Sequence, residues 1–551
     1  MFRLSFLIST FPGKFESSDK NTVSWPTKEH SKYKIAISVT MLKSHTSLLC
    51  RPNRLYLFSK AVRRTHSSPS YSLTCGLEIH AQLLTSQKLF SNSETSFNEK
   101  PNSKVSYYDA ALPGTQPVLN WKALLLALRA ALALDCDVQS RFSFDRKHYF
   151  YGDQPAGYQI TQHYEPFAKH GALHLYPRDG VKEELPVRIH QIQLEQDTGK
   201  STYIDSKAMI DLNRTNTCLI ELVTKPDIPT AEAAGIFVKK LQMLLRQIGV
   251  CSGELESGAM RVDVNVSVNG GQRCEIKNLS STSAVVHAIK AEYRRQVQQL
   301  KDGKPIEMET RGWDGKNTWK LRGKEEGVDY RYMPDPEITP LRIEHGILDR
   351  IKSSMPELPD VTFQKLLAAP YSVPLKDART LMSVPGLVDY YLSVYDYVKA
   401  KGITKLNAVS NWIVHRLWGE LNQAERGFSP NIVPAPSLGD ILIYIETGHI
   451  TQPSGSLILK HLISNPEKQS IRDIIEQYDL AKTETDTEDA RHALSELCNQ
   501  SVSRNPDVVQ RIISGKNPKS IMFLVGQVMK ESQGKVDATE VERELKRILK
   551  V

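Results

Sequence analysis

Residues 260–281 read M-R-V-D-V-N-V-S-V, then N-G-G, then Q-R-C-E-I-K-N-L-S-S. Val262, Val264, Val266 and Val268 alternate with Arg261, Asp263, Asn265 and Ser267, which is the period of a strand with one apolar and one polar face. Asn269-Gly270-Gly271 supplies a three-residue loop, with Gly271 free to take the positive φ that such a loop needs. The register of the resulting hairpin sets Asn265 opposite Glu275 and Asp263 opposite Lys277. One face is aliphatic, and the other gathers carboxylates, an amide and cations. A solvated antiparallel sheet presents the same pattern, so the hairpin makes a site only if other strands aim chemistry at its polar face.

The rest of the chain narrows the class of protein. It has 551 residues, 40% hydrophobic and 24% charged, an ordinary soluble composition with room for two to four domains. No apolar run reaches membrane-spanning length; Ala123–Leu134 is the longest, and Arg129 interrupts it. Residues 1–70 hold 12 Lys/Arg against 3 Asp/Glu, which accounts for the whole excess of 71 Lys/Arg over 62 Asp/Glu. The body is therefore neutral and carries no general polyanion-binding charge. Within the leader, residues 41–70 combine Lys43, Arg51, Arg54, Lys60, Arg63 and Arg64 with hydroxyl residues, no acid, and an apolar face at Leu55, Leu57, Phe58 and Val62. That is the pattern of a mitochondrial transit peptide, with translation starting at Met41. Seven cysteines show no C-x-x-C pair and sit mostly in apolar runs, so they read as reduced core thiols without zinc or disulfides.

Taken in order, three more segments carry chemistry. In G-L-E-I-H-A-Q-L, Glu78, His80 and Gln82 share one strand face, and Leu77, Ile79 and Ala81 the other. F-D-R-K-H-Y-F-Y (144–151) and Y-Q-I-T-Q (158–162) interleave Arg146, Lys147 and His148 with Tyr149, Phe150, Tyr151 and Tyr158, a mixture suited to phosphate and unstacked bases. In 188–202, Gln191, Gln193, Glu195 and Asp197 fall on one side of a strand, with His190, Ile192 and Leu194 on the other. The following Thr198-Gly199-Lys200-Ser201 is not a P-loop, because position 194 is Leu where that motif requires Gly. Asp211, Asn213 and Arg214 precede a buried strand, Cys218–Val223, and helical periods predict helices at Trp121–Leu134, Thr230–Ile248 and Ser283–Leu300.

Three strands thus present acids that can face inward: Glu78 with His80, Glu195 with Asp197, and Asp263 with Glu275. Burying several carboxylates together is prohibitive unless something positive neutralises them. Mixed carboxylate, imidazole and amide ligation suits Mg²⁺ or Mn²⁺, and Mg²⁺ is typically shared with substrate phosphates. Lys200, Lys277 and Arg214 are available to hold a transferring phosphoryl group. Their alternative is structural pairing with Asp197, Asp263 and Asp211. The residues therefore point to metal-dependent phosphoryl transfer on a β-rich scaffold without a P-loop.

The motifs quoted above, with L-E-Q-D-T-G-K-S, D-L-N-R…L-I-E-L-V, E-I-K-N-L-S-S, D-Y-R-Y-M-P-D-P and the tail G-Q-V-M-K-E-S-Q-G-K, run in order over about residues 72–551. Together they resemble the GatB family, the B-type subunits of the aspartyl/glutamyl-tRNA amidotransferases. The resemblance implies that ATP phosphorylates the side-chain carboxylate of mischarged Glu-tRNA(Gln) and that ammonia then displaces phosphate to give Gln-tRNA(Gln). It implies ammonia delivered through a channel from a separate amidase-type glutaminase subunit, and a further small subunit that links the two. It implies metal ligands at Glu78, His80, Glu195 and Glu275, with Glu195 also in the catalytic group. Gln193, Asp197, Asp263, Asn265, Asn278, Asp211 and Asn213 would stand behind them or along the channel. Lys147, Tyr149, Tyr151 and Tyr158 would hold the tRNA acceptor end, and Lys516, Lys519 and Lys530 of the tail would touch tRNA. Gln193, Gln196 and His148 depart from the family's usual wording and alter the polar surroundings without touching the ligand set.

The expected architecture is α+β. A leader spans 1–70, a β-rich cradle-like catalytic domain 71–357, a helical linker 358–404, and a helical YqeY-like tail 405–551. Two rival readings are a non-catalytic tRNA-binding or assembly component of the same complex, and a metal-dependent hydrolase acting alone.

Overall fold

The computed structural model describes residues 71–323, 329–465, 469–482, 488–513, 520–532 and 534–551. The leader and the predicted tRNA contacts Lys516 and Lys519 lie outside these residues.

The central strand is Leu73–Gln82 (β1). The helix Trp121–Ala133 (α1) follows, started by Asn120, whose side chain accepts from the Lys122 and Ala123 amides. Leu185–Gln196 (β2) and Cys218–Thr224 (β3) precede the helix Ala231–Gln247 (α2), capped by Thr230. Then come the hairpin Met260–Val268 (β4) and Cys274–Leu279 (β5), and the helix Thr282–Lys301 (α3), capped by Ser281. Glu309–Trp313 (β6) and Thr318–Gly323 (β7) complete one edge. The strands form a ten-stranded sheet in the order β7-β6-β5-β4-β1-β3-β2, continued by short strands at Ala168–Lys169 and Asp137–Val138, with Ala172–Leu175 pairing with β2 off this path. The pairing is antiparallel except between β5 and β6.

The apolar face follows from the alternation. Leu77, Ile79, Val262, Val264 and Val266 are at most 1% exposed, in one cluster with the buried sides of α1, α2 and α3. Helices α2 and α3 approach closely because position 235 is glycine: a Cβ there would lie 2.6 Å from Val286 Cγ2. With helices on this face, the polar residues of β1–β5 are left to the other.

Past Leu341–Arg342 every regular element among the described residues is helical, so the fold is the expected α+β arrangement of a β-rich N-terminal part and a helical C-terminal part. The helical residues form two further apolar clusters, one drawn from 363–480 and one from 494–549. Between 407 and 423 the chain is helical in three consecutive pieces, Asn407–Asn411, a π-helical Trp412–Leu417, and Trp418–Gln423.

Three local expectations need correction. The hairpin turns on two residues, since Gly271 N donates to Val268 O at 3.0 Å and the positive φ values belong to Asn269 (53°) and Gly270 (67°). Asn-Gly favours this turn because both central positions need φ > 0. Second, the register shifts after Val264↔Ile276 to Val262↔Leu279, with Asn278 at φ 61°, so Lys277 and Asn278 share the place opposite Asp263. Third, His190 does not share a face with Ile192 and Leu194. The β2–β3 register shifts between Val223 and Thr224, so Ile189 and Ile192 are both buried and His190 is exposed.

Candidate active site

The cluster on the polar face follows from cross-strand pairing. Glu78 of β1 lies opposite Asp263 of β4 and Val223 of β3, and His80 lies opposite Glu221 of β3. Glu221 lies opposite Gln193 of β2, and Asn265 opposite Glu275 as the sequence predicts. Side chains so placed have Cβ atoms about 5 Å apart, within mutual reach. His80 Nε2 is 3.5 Å from Glu195 Oε1 and 3.7 Å from Glu221 Oε2. Gln193 Nε2 donates to Glu221 Oε2 at 2.7 Å and to Thr161 Oγ1 at 3.1 Å. Lys277 Nζ is 2.9 Å from both Asp263 Oδ2 and Glu275 Oε1, and the Asn278 amide donates to Asp263 Oδ1 at 2.9 Å.

Two overlapping donor sets emerge. Glu78, His80 and Glu221 each place a ligand atom within 4.8 Å of the others, and so do Glu78, Asp263 and Glu275. Glu195 stands beside the first set. It is 3% exposed, Gln159 Nε2 donates to its Oε1 at 2.9 Å, and its Oε2 is buried without a hydrogen-bond partner. Burial and the Glu221 carboxylate push the Glu78 carboxyl up to about 7, against the help of His80 and Lys277. Burial disfavours the charged His80 imidazole, but its bonds to Glu195 and Glu221 outweigh that and raise it to about 10. Burial also opposes the Glu195 carboxylate, while Lys147 and His80 bring it down to about 2.

Lys147 belongs to a second layer. Asp145–His148 pairs with Tyr158–Thr161, setting Lys147 opposite the Gln159 that holds Glu195. The Lys147 ammonium lies 5.0 Å from the Tyr330 ring centroid. Burial opposes its charge, but Glu195 above all, with Tyr332 and Glu221, holds its pKa above the ordinary lysine range. Tyr149 packs against Tyr151 and Tyr330 at ring-centroid distances of 5.7 and 6.2 Å. Tyr158 instead lies under the Arg146 guanidinium at 4.1 Å.

Other predicted residues are committed elsewhere. Asp197 Oδ2 accepts from Arg261 Nη2 at 2.5 Å, and Arg214 donates to the Thr198 and Gly199 carbonyls at 2.9 and 2.6 Å. Lys200 is exposed on the hairpin Lys200–Ile204/Lys207–Asp211. Asp211 and Asn213 pin residues 100–104, accepting from the Asn102 and Lys104 amides at 3.0 and 2.8 Å. Lys530 is exposed at the end of the helix Ile521–Glu531. Sequence reasoning passed over Glu221, Gln159 and Tyr330. For Glu221 a signal existed: it is the one charge in C-L-I-E-L-V-T, a strand with apolar residues on both faces.

All the residues of this cluster fall inside a match to the GatB/GatE catalytic domain over residues 73–349, and a second match, to the GatB domain, covers 395–549. The chain belongs to the GatB family. Similar GatB-family proteins include the mitochondrial B-type subunit of the glutamyl-tRNA(Gln) amidotransferase of Clavispora lusitaniae, 46% identical over 90% of this chain and 94% of the relative. The proteins of the same name from Scheffersomyces stipitis and Candida tropicalis are 48% and 44% identical over 85% and 89% of this chain and 94% and 100% of the relatives. The GatB catalytic match holds the whole carboxylate cluster, and the GatB-domain match holds Lys530.

Proposed function

We propose that this chain is the GatB component of a mitochondrial amidotransferase and that the cluster activates the side-chain carboxylate of Glu-tRNA(Gln) for amidation. A carboxylate oxygen attacks the γ-phosphorus of ATP, giving an acyl phosphate and ADP. Ammonia then attacks the acyl carbon, phosphate leaves, and the amide of Gln-tRNA(Gln) results after loss of a proton. The chain is thus one component of a carbon–nitrogen ligase with glutamine as amido donor.

The observation that carries this reading is the pair of donor sets meeting at Glu78, beside a buried Glu195 oxygen with no partner. Carboxylates with one imidazole fit Mg²⁺ or Mn²⁺. Glu78, His80 and Glu221 would hold such an ion, with Asp263 and Glu275 beyond Glu78. Once bound, it supplies the positive charge that lets two anions, carboxylate and γ-phosphate, approach. Gln193 and Gln159 orient Glu221 and Glu195 by donating to them. Of the cations expected on phosphate, Lys277 is the one whose ammonium touches the cluster, so it takes that role here ahead of Lys200 and Arg214. Lys147 faces Glu195 and, with Tyr149 and Tyr151, would receive the acceptor end.

Ammonia would come from an amidase-type glutaminase partner, with a small third protein linking the two. The six described cysteines are all buried, and burial pushes the thiols of Cys75, Cys218 and Cys274 up to about 12, which suits core packing and not nucleophilic catalysis. Residues 71–357 would form the catalytic part, 405–551 would contact tRNA, and residues 1–70 would direct the chain to the matrix. In the reconstituted complex, Glu275→Ala should abolish Glu-tRNA-dependent ATP turnover and transamidation while glutamine hydrolysis persists. Surviving transamidation would leave this chain with tRNA binding or assembly as its only role.

A further inference from the structure

A cavity of about 630 Å³, bounded by α2, the start of α3 and the segment 363–383, contains none of the carboxylate-cluster residues. Its frame is a closed set of charges. Lys240, 4% exposed, gives its ammonium to Asp179 at 2.9 Å and Asp360 at 2.8 Å. Arg178 also meets Asp360 at 2.8 Å and lies 4.1 Å over the Tyr176 ring. Two cations and two anions thus cancel. The remaining wall charges are Lys239, Arg246 and Arg379 against Glu256 alone. Arg246 uses its Nε on the Ser252 carbonyl at 2.9 Å, and Arg379 uses its Nε on the Arg178 carbonyl at 2.6 Å. Such bonds fix a guanidinium while leaving further N–H donors. Thr282, the first residue of α3, adds a hydroxyl and the positive end of a 20-residue helix.

Fixed guanidiniums, an ammonium and a helix start around one open cavity select a phosphate. Residues 71–551 carry no net charge, so tRNA cannot be held by a broad field, and its backbone has to be met by local clusters such as this one. We propose that this cavity binds phosphate, and that in the working complex the phosphate is one of the tRNA backbone, gripped by Lys239, Arg246 and Arg379.

The test uses the assembled amidotransferase with Lys239→Gln/Arg379→Gln in this chain, beside Lys352→Gln, an exposed lysine outside the cavity, as control. Both substituted side chains are exposed, and unchanged thermal melting of the complex shows that the fold is kept. Binding of Glu-tRNA(Gln) is measured from about 50 to 300 mM salt, the range over which phosphate contacts declare themselves. The double variant should lower the log–log salt slope by about 1, the value for one phosphate no longer neutralised. It should raise KM for Glu-tRNA(Gln), leave KM for ATP and glutamine hydrolysis unchanged, and be rescued by Lys239→Arg/Arg379→Lys. Inorganic phosphate should compete with tRNA on the wild type and lose that effect on the variant. A change in KM for ATP with an intact tRNA slope would assign the phosphate to a free nucleotide and overturn the tRNA source. Failure of the complex to assemble would make the cavity a protein interface and overturn the phosphate site. An unchanged slope with unchanged phosphate competition would overturn it as well. Glu275→Ala separates this idea from the activation reading, because it removes activation and keeps the salt slope.

Discussion

Glu221 illustrates what a single residue can hide. Its carboxylate is buried between His80 and the amide of Gln193, at 3.7 and 2.7 Å, in a strand that otherwise serves the core. A buried carboxylate in that position needs donors or a positive partner to offset the cost of its burial. Removing Gln193 takes away the donor that aims it. Gln193→Ala should therefore weaken Mn²⁺ binding by roughly 10- to 100-fold, the usual cost of losing a group that orients a ligand. Titration of the complex with Mn²⁺, followed by paramagnetic resonance, measures this. Glu221→Gln should do at least as much while sparing glutamine hydrolysis, and an unchanged affinity in both would remove Glu221 from the ligand set. Asp197 shows the converse. It alternates in phase with Glu195, yet Arg261 draws it to a different partner.

Among the elements, β4–β5 and α3 set the geometry of the site. Asn269 and Gly270 turn the hairpin with φ 53° and 67°. Gly270→Ala should cost about 1 kcal/mol of stability, the penalty for a Cβ in the left-handed region, read from the denaturant midpoint. Helix α3 is tied to the sheet edge through Glu292, 0% exposed, which accepts from Arg295 at 2.6 Å and Thr318 at 2.8 Å and lies 3.2 Å from Arg311. Burial works against the Glu292 carboxylate, but the Arg295 guanidinium outweighs it and holds the pKa below the ordinary value. A carboxyl depressed in the folded state stabilises the protein above its unfolded pKa, and that contribution fades as pH falls through the folded pKa. Glu292→Gln should therefore destabilise by about 3 kcal/mol at neutral pH. The gap to wild type should close as pH drops below about 4. Thermal melts at several pH values check both the size and the sign.

Across the whole molecule, the apolar clusters mark where the chain tolerates a cut. Residues 363–480 share one cluster and 494–549 another, so a stop after residue 482 should leave a folded protein. That truncation should weaken Glu-tRNA(Gln) binding by about tenfold, or ~1.4 kcal/mol, with glutamine hydrolysis intact in the complex. A stop after residue 400 should aggregate, because it strips Val409, Ile413, Leu438 and Ile441 from the apolar cluster that also holds Tyr391 and Val394. Filter binding with size-exclusion chromatography distinguishes the two. Equal loss of tRNA binding and glutamine hydrolysis in the shorter cut would argue against a tRNA role for the tail.

By itself the sequence determined the period of each strand, and with it the faces. Glu78, His80 and Gln82 had to be together, as did Asp263 and Asn265, because side chains alternate every second residue. It also placed helix starts at Trp121, Thr230 and Ser283, within two residues of the caps Asn120, Thr230 and Ser281, because capping is a local hydrogen-bonding choice. Only the tertiary structure decided which strands are neighbours. Placing β3 between β1 and β2 turned Glu221 from a residue in a buried strand into the partner of His80. Placing β4 beside β1 set Asp263 against Glu78, and the shift opposite Asp263 brought Lys277 and Asn278 to one carboxylate. Alternation is fixed within a strand by its own covalent geometry, whereas neighbours along the sheet are chosen by burial of the opposite face, which no segment settles alone.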